Sequence, residues 1–153
     1  MIRKAVGAIV YKESKYLLVG KVKVMNLPNG PVDVPLAWYI PGGEIKDNDE
    51  SNLEAIKREL KEETGSQKFR IIRELEDKLC FRFPSDIREK TGFERQETTV
   101  FFVEYIGTFD NLVPNDEEID RVEFVAKEEL FQRIFVQETK DYLKQALEEL
   151  ELN

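Results

Sequence analysis

Between Pro41 and Ser66 the chain passes from a Pro-Gly-Gly turn through an acidic stretch into a run that stops at Gly65. Ser51 to Thr64 carries a helical pattern, with Leu53, Ile56 and Leu60 at spacings of three and four. Ser51 followed by Glu54 is a capping-box pair at its start, and Gly65 suits its end. With about 3.6 residues per turn, Glu59, Glu62 and Glu63 stand at i, i+3 and i+4 and share one face, roughly a quarter-turn from the apolar stripe. The spacing therefore predicts a helix that buries one side and presents three carboxylates beside it. Like charges this close repel by a few tenths of a kcal/mol per pair, roughly. Lys57 and Lys61 project to the opposite side, so another cation has to neutralise the cluster.

The remainder of the chain reads as strands and helices in alternation. Ala5 to Tyr11 and Tyr16 to Val24 are apolar, β-branched runs separated by the polar turn Lys12 to Lys15, which predicts adjacent strands. Met25 to Leu36 holds three prolines and Gly30 and is expected to be a loop facing a ligand. Trp38 to Ile40 reads as a short strand, and further strands are expected at Phe69 to Leu75, Lys78 to Phe83, Thr98 to Ile106 and Val122 to Val125. Helices at about Lys127 to Phe135 and Glu138 to Leu150 close the chain. The result is an α/β fold, a mixed β-sheet with helices packed on it, in one domain spanning 1–153.

Composition removes several chemistries. The chain has no histidine and one cysteine, Cys80. That excludes Ser-His-Asp and Cys-His machinery, imidazole or multi-cysteine zinc sites, and intrachain disulfides. Acid–base work then falls to carboxylates, Lys, Tyr or a metal-bound water. The net charge of −8 argues against a stable nucleic-acid partner. Charge is uneven, however: residues 1–34 carry six basic and two acidic side chains, and residues 104–153 carry five and fourteen. An anionic ligand fits the first stretch. No apolar run is long enough to span a bilayer and no targeting segment is evident, so a cytoplasmic protein without a membrane partner is expected. Homo-oligomer formation stays open.

A hard divalent cation is the simplest neutraliser of the glutamate cluster. Mg²⁺ takes oxygen ligands, keeps several waters, and is held by a few carboxylates together with substrate phosphates. The Gly42-Gly43 backbone can approach such a site closely and offer a carbonyl.

Gly43, Glu50, Arg58-Glu59-Leu60, Glu62-Glu63 and Gly65 together resemble the Nudix box, a loop–helix–loop signature of spaced glutamates and one arginine between two glycines. The resemblance implies an α/β/α sandwich and a hydrolase that cleaves a nucleoside diphosphate linked to another moiety, with Mg²⁺ or Mn²⁺ as cofactor. It implies Glu59, Glu62 and Glu63 as metal carboxylates, Gly43 as a carbonyl ligand, and Arg58 with Glu50 as the ion pair bracing the motif. This chain departs twice: six residues separate Gly43 from Glu50 where the family has five, and Ser66 stands where an apolar residue is usual.

Outside the box, Lys21 matches a place where the family often directs a basic residue at phosphates. Trp38 and Tyr39 are candidates to stack on a base, although strand aromatics are more often core. Glu118, in the run Asn115 to Glu118, is the candidate late acidic residue. Phe81-Arg82-Phe83-Pro84, with Arg95-Gln96 and Phe101-Phe102, looks similar to the branch of diadenosine tetraphosphate hydrolases and bacterial RNA 5′-pyrophosphohydrolases, with Phe81 where that branch usually has tyrosine. The expected activity is cleavage of a phosphoanhydride bond in a small nucleotide, a nucleoside triphosphate or dinucleoside polyphosphate, with Glu62 or Glu118 as general base and Arg58 in support. The alternative is a sensor that binds a nucleotide without hydrolysing it; such a module is expected to have lost a metal carboxylate, and all three are present here.

Overall fold

The computed structural model describes residues 1–24, 30 and 32–151. Half of the expected loop from Met25 to Leu36 lies outside the described residues, but its end does not: a strand begins at Val32. In order, the elements are β1 (Ile2–Lys12), β2 (Lys15–Val24), β3 (Val32–Tyr39), β4 (Gly42–Glu44), α1 (Asn52–Thr64), β5 (Phe69–Glu74), β6 (Leu79–Arg82), α2 (Ser85–Thr91), β7 (Arg95–Tyr105), β8 (Ile119–Ala126), α3 (Lys127–Arg133) and α4 (Gln137–Glu151). Among the described residues these strands form one sheet with the path β3-β2-β1-β7-β5, to which β4 adds on β1, β6 on β7 and β8 on β2. The β1–β7 pairing is parallel and the rest are antiparallel, so the sheet is mixed.

Side-chain alternation along β1, β2 and β7 divides the interior into two layers. Val6, Ala8, Val10, Leu17, Phe101 and Val103 face α1, where they meet Ala55, Ile56 and Leu60. Ile9, Leu18 and Val100 face the other way and pack with Leu130, Leu143 and Leu147 from α3 and α4. The architecture is the expected α/β/α sandwich. Two local differences have simple causes. Pro35 lies within β3, which stands at the end of the sheet path, where a missing N–H costs little. Helix α2 buries none of its residues and so has no apolar period to reveal it in the sequence. Among the described residues no helix is long and apolar enough to cross a membrane.

Candidate active site

Helix α1 begins where Ser51 Oγ accepts the Glu54 N–H at 3.1 Å and ends where Gly65, at φ 72°, donates its N–H to the Lys61 carbonyl. Ile56 and Leu60 are buried as the apolar spacing predicts, but the buried side turns away from Leu53 and towards the glutamates. Leu53 is 38% exposed, whereas Glu59 and Glu63 are 6% and 1% exposed alongside Ala55, Ile56 and Leu60. Two of the three glutamates thus point into the protein, towards the β4 turn. Glu63 Oε1 accepts the Gly42 N–H at 2.7 Å. The Glu59 carboxylate lies over Gly43 so closely that a Cβ there would stand 2.6 Å from Glu59 Oε1. Glu62 is the most open of the three, its side chain 38% exposed.

Protein cations already balance part of this charge. One Arg58 guanidinium nitrogen donates to Glu59 at 2.8 Å and to Glu62 at 3.3 Å, while Lys21 Nζ stands 3.7 Å from Glu63 Oε2. Local spacing points Lys57 and Lys61 away from the cluster, and Lys21 is brought in only by the sheet. The bracing pair also differs from expectation. Arg58 binds Asp49 through Nε at 2.9 Å and NH2 at 2.8 Å, and it donates to the Glu44 carbonyl at 3.2 Å. Glu50 is exposed. Asp49 follows Gly43 after five intervening residues, so the additional residue of this motif falls between Asp49 and the helix rather than before the acid.

Burial governs the electrostatics. Burial, with Glu59 nearby, pushes the Glu63 carboxyl up to about 8, against the lowering effects of Lys21 and the Gly42 N–H. Burial likewise raises Glu59. Burial pulls the Lys21 ammonium down, but Glu63, Glu118 and Glu59 around it more than offset this and hold it above the ordinary lysine range. Hydrogen bonds from Arg58 bring Asp49 to about 2.

A cavity of about 190 Å³ opens beside this cluster, lined among others by Lys21, Tyr39, Gly42, Gly43, Phe81 and Gln96. Lys21, Tyr39, Gly43 and Phe81 from the sequence reading therefore come together. Trp38 does not join them: it packs against the core layer of α3 and α4, with the Arg133 guanidinium 5.1 Å from its ring centre. A larger concavity of about 900 Å³, between the turn after β5 and α4, is lined by none of Glu59, Glu62, Glu63 and Glu118. Glu118 comes up against Lys21 through the β2–β8 pairing, its carbonyl accepting the Val22 N–H at 2.9 Å. The sequence reading missed Asp116, whose charge acts on Glu63 and whose Oδ1 accepts the Glu118 N–H at 2.9 Å. Only its position in the same acidic run hinted at it. It also missed Arg3, which lines the cavity and bonds Glu44 and Gln96.

Among the described residues no three acidic groups stand together as a finished metal cage, and Arg58 and Lys21 lie against the glutamates of α1. The donor set nevertheless fits a hard cation. It is all oxygen, it includes a carboxylate that is 1% exposed beside a single loosely placed ammonium, and it faces a turn whose glycine leaves the space a side chain would fill.

A sandwich with this loop–helix–loop and glutamate cluster defines a hydrolase of the Nudix class. The NUDIX domain model matches residues 1–147, and the chain belongs to that family. An RNA pyrophosphohydrolase from Bartonella bacilliformis is 29% identical over 119 residues, 76% of this chain and 69% of that protein. Among solved structures, a C. elegans Ap4A hydrolase in a binary complex superposes with a TM-score of 0.68 at 17% identity, covering 99% of both chains. The NUDIX domain of Shewanella oneidensis NrtR complexed with ADP ribose superposes with a TM-score of 0.66 at 18% identity, covering 98% of this chain and 89% of that one. At these identities the structural likeness establishes the fold alone.

Proposed function

We propose that this chain is a Mg²⁺- or Mn²⁺-dependent pyrophosphohydrolase that opens a phosphoanhydride bond in a nucleotide carrying a polyphosphate, and that it works in the cytoplasm as a single domain. The observation that carries this reading is the turn of α1 that sets Glu59 over Gly43 and Glu63 against Gly42 and Lys21, with Glu62 joined to Glu59 through Arg58, next to a cavity that Gly43 and Lys21 line. Glu59, Glu62, Glu63 and the Gly43 carbonyl would hold the cation. When bound, it supplies positive charge for the phosphate oxygens and makes a water easier to deprotonate. Lys21 meets the phosphates, and Tyr39 and Phe81 offer ring faces to the base. Glu62 or Glu118 takes the proton of the attacking water, and a phosphate-containing group leaves from phosphorus. Arg58, fixed by Asp49, holds Glu59 and Glu62 in place.

The curated relatives named RNA pyrophosphohydrolase support RNA 5′ ends bearing a polyphosphate as one substrate class, and the resemblance of the Phe81 segment to the diadenosine tetraphosphate hydrolase branch supports dinucleoside polyphosphates as another. Retention of all three glutamates favours catalysis over a binding-only sensor. The test is a product-resolved screen of nucleoside triphosphates, dinucleoside polyphosphates, nucleotide sugars and 5′-triphosphorylated RNA with each metal. The expected result is phosphoanhydride cleavage that is lost in Glu62→Gln and in Glu63→Gln. No product from any member of the panel, or unchanged turnover in both variants, overturns the reading.

A further inference from the structure

Glu63 is held asymmetrically. One oxygen is fixed by the Gly42 N–H at 2.7 Å, but the other faces Lys21 Nζ at 3.7 Å, beyond the usual reach of an N–H···O bond. This contrasts with the two bonds of 2.8 and 2.9 Å between Arg58 and Asp49. Burial disfavours the ionised form of a carboxyl that is 1% exposed, so its negative charge depends on a counter-charge. Lys21 supplies it from a stem of four methylenes, its ammonium 5.4 Å from the centre of the Tyr39 ring and facing the same cavity as Gly43 and Phe81. The Gly42 bond would keep Glu63 in place if Lys21 left. The ammonium thus stands between a buried carboxylate 3.7 Å away on one side and the cavity on the other, with Glu118 also acting on it.

We infer that Lys21 is an exchangeable internal counter-cation, balancing Glu63 until a divalent cation takes that carboxylate and then turning to the phosphates of the substrate. The inference rests on the proposed function and extends it. A divalent cation bound to Glu63 would offset the charge nearest Lys21, and the polyphosphate in the cavity would then compete with Glu118 for the ammonium. Cation and polyphosphate then favour each other's binding through Lys21, in addition to any direct contact between them, and the coupling is reciprocal.

The test needs no turnover. Binding of α,β-methylene-ATP is measured in EDTA for the wild type, Glu63→Gln, Lys21→Met and the double variant. Glutamine keeps an acceptor for the Gly42 N–H but removes the charge that holds Lys21. Glu63→Gln is expected to bind the nucleotide about fivefold or more tightly than wild type, and the gain is expected to vanish in the Lys21→Met background. No gain, or an equal gain on Lys21→Met, overturns the inference, the latter because it reports only the field of the lost carboxylate. A second measurement uses the wild type alone: acetylation of Lys21 by an N-hydroxysuccinimide ester, followed by mass spectrometry, should accelerate several-fold when Mg²⁺ replaces EDTA. An unchanged rate also overturns it. Failure here leaves the hydrolase reading to the substrate screen, and an empty screen leaves the exchange to these two measurements.

Discussion

The guanidinium of Arg58 grips both carboxylate oxygens of Asp49, at 2.9 and 2.8 Å, while its remaining reach covers Glu59, Glu62 and the Glu44 carbonyl. Asp49 therefore fixes the arginine that sets two of the three glutamates and the strand beside Gly43. Asp49→Ala leaves Arg58 with an open donor pair in a half-buried position, so it should destabilise the protein by about 1–3 kcal/mol in urea titration. Turnover should fall as well, because Glu59 and Glu62 lose their common anchor. Glu50→Ala, at an exposed position, should stay within about 0.5 kcal/mol. Equal losses in the two variants would return the bracing role to Glu50.

The same pair sets an acid limit on stability. Arg58 holds Asp49 at about 2, below its ordinary 3.8, so the folded state binds this proton less readily than the unfolded chain. The contribution is fully present above the unfolded value and is lost as pH falls from about 4 through 2. Stability measured by chemical denaturation across that window should decline in the wild type, and Asp49→Asn should flatten part of the decline. A variant whose slope matches the wild type would remove Asp49 from the list of groups responsible.

Why Asp49 escapes a reading of the sequence is instructive. Asp49 and Glu50 are adjacent acids, and counting back from Arg58 selects Glu50, whereas counting forward from Gly43 selects Asp49. Only the path of the turn decides, through the Lys46 N–H that Asp49 Oδ2 accepts at 2.8 Å. The helix of 52–64, its cap at Ser51 and its stop at Gly65 were legible because they depend on neighbours in sequence. The glutamate face was legible as a cluster, but not as a buried one, since Leu53 looked like the better core residue and lies instead at 38% exposure. Lys21, Asp116 and Arg3 reach the site through strand pairing and loop packing, which no local spacing records. Trp38 and Tyr39 are neighbours whose different fates follow from the alternation of β3.

Gly65 joins the end of α1 to the loop before β8. Its φ of 72° is left-handed, and a Cβ there would lie 2.1 Å from the Val113 carbonyl oxygen. That loop is tied to the helix end by Val113 N–H to Thr64 O at 2.9 Å and Asn115 N–H to Glu62 O at 3.0 Å. Gly65→Ala therefore strains the backbone by about 1–2 kcal/mol before the collision is counted, and should lower the thermal midpoint by several degrees. Because the displaced loop leads to Asp116 and Glu118, activity should fall further than the lost stability explains. A soluble variant with wild-type turnover would show that this loop does not position the late acids.

Gly43→Ala tests the turn itself. The added methyl would stand 2.6 Å from Glu59 Oε1, so the carboxylate must move away. The backbone at Gly43 does not require a left-handed conformation, and the fold should survive. The expected result is Mn²⁺ affinity weakened about 10–100-fold in calorimetric titration, as for other changes that misplace a ligand, with far-ultraviolet circular dichroism unchanged. Retained affinity would mean that Glu59 is not a ligand from its position over the turn.

Tyr39 and Trp38 offer a paired test of the cavity. Tyr39 shares it with Lys21, whose ammonium lies over the ring, whereas Trp38 packs into the layer under α3 and α4 beneath Arg133. Tyr39→Leu removes a ring face at the nucleotide side and should raise KM about tenfold, as the loss of one base–aromatic stack of about 1–3 kcal/mol requires, with little change in midpoint. Trp38→Leu removes packing instead and should lower stability by about 1–3 kcal/mol while KM stays near wild type. Steady-state kinetics alongside thermal melts separate the two. If Trp38→Leu were the variant with the raised KM, the base would have to lie on the opposite side of β3 from the cavity that Lys21 and Phe81 share.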